Sequence, residues 1–513
     1  MIKPNHETFT ESNLSAVASR PTYPPSMQLP VERKPLRMYG DSSRVIGRFF
    51  WAGKSRAYQL IDRVIDLDDQ ETHDSLMRTL RDFARRHRNT IGIYRRHLSA
   101  ALERVPEQRE KVLALSEEKQ TLIGAYFTHE YSIESAAFFN PSVVPALDQT
   151  GLQQGQMRIV MSMRAVGEGH TSSIVFRNII LDSENNPLAE PTNQFVGLAE
   201  RIYYSKYTKE AFYKRCHSRE EIDEELYNEL VGDLPDNFNH RELYERYWSL
   251  WMQFEEDSPQ RDHLNQLMTV ADRYYELHFS LDTDISERVL YPMIDFEMKG
   301  MEDARFLQFV HEDGRKTYYG TYTAYNGKQI RPMIIETEDF YSFIIRPVYG
   351  DAAVNKNHAI FPRKINGKYY VLCRIDGINN YIISSDRLQV WDDAVKLTEP
   401  KFPWQLYQVG NCGAPLETER GWLVITHGVG PMRRYCLGAM LLDLDDPTKV
   451  IGQLEEPLIS PMDDEREGYV PNVVYSCGSI IHNGEVFIPY GISDEAARFA
   501  TVNLEALLDT LTN

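Results

Sequence analysis

The segment NGKYYVLCRID (366–376) joins a glycine turn to a strand of aromatic and β-branched residues. Four other segments share this form, and they are QGQMRIVMSMR (154–164), GRKTYYGTYTAY (314–325), RGWLVITHG (420–428) and NGEVFIPYGIS (483–493). In the four segments that begin at residues 314, 366, 420 and 483, the turn glycines recur at intervals of roughly 50 to 60 residues. This spacing is typical of a propeller with one hairpin per repeat. A β-sandwich would also give hairpins, but it would not repeat the same glycine turn and strand at this interval. The repeats therefore predict a mainly β chain that folds as a five-bladed β-propeller.

Two helical regions interrupt the β pattern. In the first, Leu76, Leu80 and Phe83 recur at three- and four-residue steps. Before it lies a stretch rich in Pro, Ser and Asn, which we expect to be an extended arm that is poorly ordered or lies over a neighbour. The resulting division is an N-terminal arm at 1–55, a helical region at 56–122, a first blade at 123–190, a helical insertion at 191–288 and the remaining blades at 289–513.

Composition narrows the classes of function. The chain has 513 residues, a formal net charge of −19, 42% hydrophobic residues and 26% charged residues, as in soluble globular proteins. We expect neither nucleic acid nor a membrane as a partner, because both present anionic surfaces. The N-terminus lacks the apolar core of a signal peptide, and no apolar run is long enough to span a bilayer, so the expected location is the cytoplasm.

The cysteines and the helical regions add two further expectations. The five cysteines are odd in number and none has CxxC spacing, which argues against a disulfide framework and against a zinc site. We interpret them as small buried hydrophobic residues, and we expect no metal and no cofactor. A propeller has its own core and does not need the helical regions, so we expect a homo-oligomer that assembles through them.

The turn KGMEDARFLQF (299–309) is the strongest candidate for acid–base chemistry. In a propeller the inner strands of all blades face one axis, so residues distant in sequence converge there. Glu302 and Asp303 are adjacent on a strand, and side chains of adjacent strand residues point to opposite sides. We therefore expect only one of the two carboxylates to face the pocket. The alternative is that Asp303 and Arg305 form a structural ion pair.

Further clusters lie on or beside the repeated strands. The basic residues Lys356, Arg363 and Arg374 would suit an anionic nucleophile such as phosphate, or would keep a nearby carboxylate ionised. The glycine-bearing loop at 164–173 leads into a strand instead of a helix, which makes a nucleotide site improbable. The other candidates in these clusters are His358, Glu417, His427, Tyr469, Asn472 and Asp494.

Taken in order, the motifs of this sequence resemble glycoside hydrolase family 130. That family holds inverting β-mannoside phosphorylases and some β-1,2-mannosidases on a five-bladed propeller, and the resemblance spans about 125–510 apart from the helical insertion. The helical region at 56–122 resembles the N-terminal extension of a longer subgroup. The motifs are FNPSVV (139–144), MRAVGEGHTSSIVFR (163–177), GMEDARF (300–306), YYGTYTAY (318–325), KNHAIFPRKINGKYYVLCR (356–374), GNCGAPLETERGWLVITHGV (410–429), YVPNVVYSCG (469–478) and PYGISD (489–494).

The resemblance implies a mechanism and a set of site residues. Asp303 is implied to be the general acid, which passes its proton through a hydroxyl of the mannosyl ring to the leaving oxygen. A nucleophile attacks the anomeric carbon from the opposite face and inverts it. The implied substrate-binding residues are Asn140, Arg164, Glu302, Arg305, Tyr322, Asn357, Asp376 and Asp494. The implied phosphate-binding residues are Arg177, Lys356, Arg363, Arg374 and His427.

Three functions remain open at this point. The first is phosphorolysis of a β-mannoside to mannose 1-phosphate, with inorganic phosphate as the co-substrate. The second is an inverting β-1,2-mannosidase that uses water, with Glu417 or Glu467 as the base that such a hydrolase requires. The third is a sugar-binding propeller without catalysis. Gln408 stands where many phosphorylases of the family carry a lysine, which weakens the phosphate site and keeps the hydrolase alternative open.

Overall fold

The computed structural model describes residues 29–202, 206–217, 222–255, 258–272 and 274–512. Its N-terminal part holds two strands, five helices and a third strand that pairs with the second. These elements are β1 (Val31–Tyr39), β2 (Val45–Phe49), α1 (Lys54–Ile65), α2 (Asp69–Phe83), α3 (Thr90–Arg104), α4 (Arg109–Leu113), α5 (Glu117–Tyr126) and β3 (Thr128–Ser132).

The helices of this part form because their ends are capped and their apolar stripes meet. Asp68 and Glu71 form a capping box at the start of α2, which satisfies the first free backbone N–H groups of the helix. Ile61, Leu98 and Leu122, from α1, α3 and α5, are buried together in one core cluster. The helices therefore have a core of their own.

The chain is mainly β, and its strands begin a first antiparallel group directly after this core. The first group runs in the order β4 (Ala137–Pro145), β5 (Met157–Val166), β6 (Ser172–Leu181) and β7 (Pro187–Ala189). The next elements are β8 (Gly197–Leu198), β9 (Glu200–Ile202), β10 (Lys206–Thr208), α6 (Lys209–Cys216), α7 (Glu224–Val231), β11 (Asn237–Asn239), α8 (His240–Trp251), α9 (Pro259–Asp272), β12 (Tyr275–His278) and β13 (Arg288–Leu290).

The predicted helical insertion at 191–288 is thus partly β. Strand β12 pairs with the strand Ser342–Pro347 of the next group, and β9 pairs with β12. Tyr275 and Leu277 are buried whereas Glu276 and His278 are only half-buried, which is the alternation of a strand that packs one face on a core. The region therefore carries helices, and backbone hydrogen bonds also join it to the sheet that contains Ser342–Pro347.

Four more antiparallel groups follow in the described chain. The second group is β14 (Gly300–Val310), β15 (Lys316–Tyr325), β16 (Ile330–Thr337) and β17 (Ser342–Pro347), and the third is β18 (Lys356–Ile360), β19 (Tyr369–Arg374), β20 (Asn380–Ser385) and β21 (Ala394–Thr398). The fourth is β22 (Gln408–Asn411), β24 (Gly421–Val429), β25 (Tyr435–Leu442) and β26 (Val450–Gln453), with β23 (Leu416–Thr418) beside β24. The fifth is β27 (Val474–Tyr475), β29 (Glu485–Ile492), β30 (Ala496–Asn503) and β1, with β28 (Ile480–His482) beside β29, and α10 (Leu504–Thr512) ends the described chain.

Strand β1 corrects the prediction of a loose N-terminal arm. It pairs antiparallel with β30, from Val31 opposite Val502 to Tyr39 opposite Ala496. Without β1, the backbone groups of β30 would form an open sheet edge. The first and last strands of the described chain therefore complete one group together, while residues 1–28 of the predicted arm lie outside the described residues.

The first strands of three groups share a bulge that places an amide or carboxyl side chain. The register shifts within β4, β14 and β18 at Asn140, Asp303 and Asn357. These residues have positive φ angles of 54°, 55° and 72°, a region that Asn and Asp enter more easily than other side chains. A bulge re-aims the side chain it carries, so the three polar groups occupy equivalent positions in three groups of strands.

Two smaller observations bear on the sequence predictions. All five cysteines are buried and none of them forms a disulfide bond in the described chain, which agrees with their interpretation as small buried residues. No helix in the described parts of the chain is long and apolar enough to cross a membrane.

Candidate active site

A cavity of about 480 Å³ lies where the first strands of the groups come together. Strands β4, β14, β18, β22 and β27 contribute Asn140, Asp303, Asn357, Gln408 and Tyr475 to its wall. Neighbouring strands and loops add Phe139, Arg164, Lys356, Arg374, His427, Arg433, Tyr435, Val470, Pro471, Val473 and Asp494. Residues far apart in the sequence therefore converge on one polar site.

One carboxylate oxygen of Asp303 accepts hydrogen bonds from the protein, and the other is free for a ligand. The Nδ2 of Asn140 donates to Oδ1 at 2.6 Å, and the Nη1 of Arg164 donates to the same oxygen at 3.0 Å. No donor from the described residues binds Oδ2. The Oδ1 of Asn140 also has no partner in the described chain, but this atom is buried. The free Oδ2 of Asp303 can accept a hydrogen bond from a polyhydroxylated ligand.

The bulge at Asp303 lets both adjacent carboxylates bind Arg164, while only one of them, as expected, lines the cavity. The Nη2 of Arg164 donates to Glu302 at 2.6 Å, while its Nη1 binds Asp303. The Nζ of Lys356 donates to the second oxygen of Glu302 at 2.8 Å. Because the bulge interrupts the normal alternation of side chains, both carboxylates bind Arg164, although only Asp303 lines the cavity.

These charges decide the ionisation of Asp303. Burial by itself would raise the pKa of this carboxyl, but the charges of Arg164, Lys356 and Arg305 and the hydrogen bond from Asn140 hold the pKa well below its usual range. Asp303 is therefore an ionised carboxylate in the ligand-free protein at neutral pH.

Asp494 brings a second carboxyl group to the cavity. It follows β29, has a positive φ of 56° and lines the same wall. Burial raises the pKa of Asp494 to about 7, the negative charge of Asp303 adds to this, and the charge of Arg164 opposes it. This carboxyl is close to half protonated at neutral pH, in contrast to Asp303.

Arg305 lies behind the site instead of in it. Its Nε donates to the carbonyl of Cys412, its Nη1 to the carbonyl of Asp303 and its Nη2 to the hydroxyl of Tyr475, at 2.7, 2.7 and 2.8 Å. The residue is 1% exposed and does not line the cavity. The guanidinium therefore braces β14 against two other groups. This corrects both the predicted sugar contact and the predicted ion pair with the Asp303 carboxylate.

Arg374 and His427 also line the cavity, and Arg374 forms no carboxylate ion pair among the described residues. The Nη1 of Arg374 donates to the Nε2 of His427 at 3.3 Å; since arginine has no acceptor, this imidazole nitrogen must be unprotonated. Burial, together with the charges of Arg374 and Arg305, lowers the pKa of His427 well below its usual value. Gln408 lies beside them with its Nε2 at 3.5 Å from the hydroxyl of Tyr435.

Two predicted phosphate ligands lie off the cavity because other groups of the protein bind them. Arg177 is 4% exposed and binds the buried carboxylate of Glu134, which also binds Arg44. Arg363 forms an ion pair with Glu417, with the Nη2 and Oε1 atoms at 2.6 Å. Neither arginine lines the cavity. Glu417, which was one of the two candidate bases, is thereby also placed outside it.

Three other predicted residues also lie elsewhere. Tyr322 is buried in β15 and its hydroxyl donates to the carboxylate of Glu297. Asp376 is exposed and closes the turn after β19 by accepting from the backbone N–H groups of Ile378 and Asn379, each at 2.8 Å. Glu467 is exposed in the loop before β27 and does not line the cavity. None of the three lines the cavity. Tyr322 is too buried for the predicted sugar contact, whereas the roles predicted for Asp376 and Glu467 stay predictions.

A repeated signal in the sequence could have located part of the site. The phrases FFNPS, MEDAR, NKNHA, VGNCG and VPNVV each place an Asn or Asp at the third position, in or beside the first strand of a group. Four of these five residues have positive φ angles, namely Asn140, Asp303, Asn357 and Asn472. Arg433, Tyr435 and Tyr475 also line the cavity and were not predicted from the sequence.

No group of three or more His, Cys, Asp or Glu side chains that could hold a metal ion occurs among the described residues.

Comparison with known proteins identifies the family. Residues 249–513 match the family model Glyco_hydro_130, which is described as beta-1,4-mannooligosaccharide phosphorylase. The chain belongs to glycoside hydrolase family 130. This confirms the resemblance, and it makes the protein an enzyme of a family of β-mannoside phosphorylases. The matched range includes Asp303 and Arg374, whereas Asn140 and Arg164, which bind Asp303, precede it.

Named relatives within family 130 differ in the linkage that their names give. The 1,2-β-oligomannan phosphorylase of Thermoanaerobacter sp. (strain X514) is 35% identical over 214 residues, which cover 41% of this chain and 70% of that protein. The β-1,2-mannobiose phosphorylase of Listeria innocua is 32% identical over 243 residues, covering 46% of this chain and 65% of that protein. The solved structure of a Listeria innocua β-1,2-mannobiose phosphorylase with β-1,2-mannobiose has 23% identity, covers 74% of this chain and 93% of that chain, and gives a TM-score of 0.44. A β-1,4-mannooligosaccharide phosphorylase of Ruminococcus albus is 31% identical over 167 residues, covering 30% of this chain and 50% of that protein.

Proposed function

We propose that this protein cleaves β-mannosides by phosphorolysis with inversion and releases mannose 1-phosphate. The observation that carries the proposal is that one cavity is lined by both Asp303 and Arg374, and that Arg374 has no carboxylate ion pair among the described residues. A phosphorylase needs a proton donor and cations that hold phosphate, and these two residues are the candidates for those roles.

The position of the glutamates favours phosphate over water. An inverting hydrolase needs a second carboxylate that activates water on the face opposite the acid. Glu417 is bound to Arg363, and Glu467 is exposed; neither lines the cavity. Asp494 is the remaining carboxyl of the wall within the described residues, and it lies near enough to Asp303 for the charge of Asp303 to raise its pKa. Phosphate is already an anion and needs no base.

Every proton of the reaction is accounted for when Asp303 is the general acid. A phosphate oxygen bonds to the anomeric carbon while the bond from that carbon to the leaving oxygen breaks. The proton of Asp303 passes through a ring hydroxyl to the leaving oxygen, and the proton of hydrogenphosphate then restores Asp303. The free Oδ2 of Asp303 is the atom available to that hydroxyl. Since a bound phosphate opposes the charges of Arg164 and Lys356, its arrival raises the pKa of Asp303 towards the working range.

The remaining residues of the wall divide between sugar and phosphate. In this proposal Asn140, Arg164, Asn357 and Asp494 contact the mannosyl unit, and Glu302 holds Arg164 and Lys356 in place. Arg374 and His427 contact phosphate, and Lys356 lies between the two ligands. No cofactor beyond phosphate is needed, because phosphate supplies the nucleophile and Asp303 the proton.

The finer architecture belongs to the same proposal. We propose that the five strand groups are the blades of a five-bladed propeller, closed by β1 on the outer side of the last blade. Residues 56–122 are then an added helical unit, and 191–288 an insertion after the first blade. A homo-oligomer through the helical regions is supported by Tyr244 and Trp248 of α8, which are 44% and 39% exposed.

The test is product analysis with and without phosphate. The protein is incubated with β-1,2-mannobiose, β-1,4-mannobiose and 4-O-β-mannosylglucose, each with and without inorganic phosphate. Mannose 1-phosphate should form from at least one of them, and only when phosphate is present. Equal release of free mannose with and without phosphate would contradict phosphorolysis and favour the hydrolase. Inactivity over the whole panel would favour a sugar-binding role.

A further inference from the structure

The turn between β24 and β25 holds an unusual backbone conformation. It spans residues 430–434 and is closed by hydrogen bonds from the N–H of Gly430 to the carbonyl of Arg434 (3.0 Å) and from the N–H of Arg434 to the carbonyl of Pro431 (3.2 Å). Met432 and Arg433 have φ angles of 57° and 53°. Two consecutive left-handed residues that are neither Gly nor Asn are unfavourable, and such strain is retained where the surrounding structure fixes it.

The same turn occurs between β5 and β6 with a different sequence. There the N–H of Gly167 donates to the carbonyl of Thr171 (3.3 Å), and Gly169 and His170 have φ angles of 70° and 58°. Gly169 adopts the left-handed conformation without a steric penalty. His170, the counterpart of Arg433, contacts the hydroxyl of Tyr469 at 2.8 Å. In both turns, therefore, the fourth residue is directed to the cavity or to the loop at its edge.

Arg433 lines the cavity beside Arg374, Gln408 and Tyr435. The adjacent phenol of Tyr435 raises the pKa of this guanidinium. None of the described carboxylates forms an ion pair with it, in contrast to Arg363, which binds Glu417. Arg433 is thus an exposed cation at the cavity wall without a carboxylate ion pair among the described residues.

We propose that Arg433 binds the phosphate co-substrate together with Arg374. This inference rests on the proposed phosphorolysis. It adds Arg433 to the residues that were predicted to contact phosphate. Two guanidinium groups on one wall present planar sets of N–H donors that match phosphate oxygens, and charge-assisted contacts of this kind are stronger than neutral ones. Arg433 supplies the positive charge that Gln408 does not.

The experiment measures the binding of inorganic phosphate by calorimetry and the phosphate KM in phosphorolysis. The variants are Arg433→Gln and Arg433→Lys in the full chain. The control is Arg434→Gln, because Arg434 carries the same charge on the same turn but donates to the carbonyl of Pro461 at 3.2 Å and does not line the cavity. Loss of one charge-assisted contact should raise the phosphate Kd and KM about tenfold or more in Arg433→Gln.

The other variants sharpen the result. Arg433→Lys should lose less affinity than Arg433→Gln, Arg434→Gln should stay within about twofold of the wild type, and the KM for the mannoside should be unchanged in all three. Melting temperatures without phosphate check that each variant is folded.

The outcomes separate the inference from the proposed function. If the wild type binds phosphate and Arg433→Gln binds it equally well, the inference is wrong and phosphorolysis stands. If mannose is released equally with and without phosphate, phosphorolysis is wrong; the inference then stands only if phosphate still binds and Arg433→Gln still abolishes that binding. If calorimetry detects no phosphate binding to the wild type, the inference is overturned directly.

Discussion

The charged groups in and directly behind the cavity wall form two sets that differ in their partners. In the set that we call the acidic part, the carboxyl groups of Glu302, Asp303 and Asp494 lie with Arg164 and Lys356, and ion pairs join most of them. In the cationic part, Arg374 and Arg433 face the cavity, and no carboxylate of the described chain pairs with them. One part balances its own charges, and the other depends on a ligand to balance them.

This difference shows why net charge does not identify a ligand. The chain carries −19 in total, yet its cavity wall holds two arginines, Arg374 and Arg433, that form no carboxylate ion pair among the described residues. The Nε of Arg374 is buried and has no hydrogen-bond partner within the described residues. A buried donor without a partner costs free energy, so such groups are expected where a ligand completes them. The acidic part is organised for proton transfer and sugar hydroxyls, and the cationic part for an anion.

The largest effect is expected from Asp303→Asn, which removes the proposed acid and keeps the shape of the side chain. General acid catalysis contributes about 10²- to 10⁴-fold, so we expect kcat to fall by about 10³-fold while mannoside binding survives. The measurement is the initial rate of mannose 1-phosphate formation with saturating phosphate. The control is Asp313→Asn at the other end of the β14–β15 hairpin, whose carboxylate only caps the turn at Arg315. A kcat within tenfold of the wild type in Asp303→Asn would remove this residue from the acidic role.

The next effect is expected at Arg374, in the cationic part. Arg374→Gln removes a charge-assisted contact worth about 1.5 to 3 kcal/mol, which corresponds to a rise of roughly 10- to 150-fold in the phosphate KM. The mannoside KM should change little, because the sugar is bound in the acidic part. Arg315→Gln is the matched control, since Arg315 pairs with the exposed Glu338 far from the cavity. Equal rises in both KM values would show that the two parts are not separate.

A smaller, pH-dependent effect is expected from Asp494. The pKa of this carboxyl is about 7, so it is neutral below pH 7 and negative above it. Sulfate keeps its charge over this range and serves as the probe, as a competitor of phosphate. Its inhibition constant should rise several-fold, about fivefold, from pH 5.5 to 8.5 in the wild type, because the new negative charge repels it. Asp494→Asn should show a flat profile, and a wild-type step retained in this variant would assign the titration to another group.

The same carboxyl links pH to stability. The folded-state pKa of Asp494 lies above the usual value of an aspartate, so the folded protein holds the proton between about pH 4 and pH 7. Its contribution to the free energy of unfolding is therefore fully present only below about pH 4, and it is lost as pH rises from there through 7. We expect Asp494→Asn to have a higher Tm than the wild type at pH 8 and a similar Tm at pH 4. Equal Tm differences at both pH values would contradict the raised pKa.

The sequence supplied the repeated strands and the family, but it could not tell which strand of a group faces the cavity. Asp303, Arg164 and His427 were predicted and lie in the wall. Arg177 and Tyr322 were predicted from the same motifs, and they lie on strands whose side chains meet other partners, Glu134 and Glu297. A charged residue amid apolar neighbours has the same sequence signature whether a ligand or a distant residue neutralises it.

Backbone conformation explains the other differences. The alternation rule placed Glu302 and Asp303 on opposite sides of a strand, but the bulge at Asp303 brings both to Arg164. Arg433 was not predicted as a cavity residue, because the segment PMRR (431–434) does not indicate two left-handed residues in succession. A pattern of side chains predicts elements well, whereas the direction of a side chain at a bulge or a strained turn depends on contacts that only the folded chain makes.

The smallest effects are expected from Glu417→Gln and Glu467→Gln, and their smallness is informative. If phosphate is the nucleophile, neither glutamate takes part, and kcat should stay within about twofold of the wild type. Glu417→Gln breaks an exposed ion pair with Arg363, which should lower the free energy of unfolding by about 0.2 to 1 kcal/mol. The measurement is the rate of mannoside cleavage with and without phosphate. A loss of more than 100-fold in either variant, with sugar binding retained, would mean that the glutamate reaches the cavity when substrate is bound, and water would then replace phosphate as the nucleophile opposite Asp303.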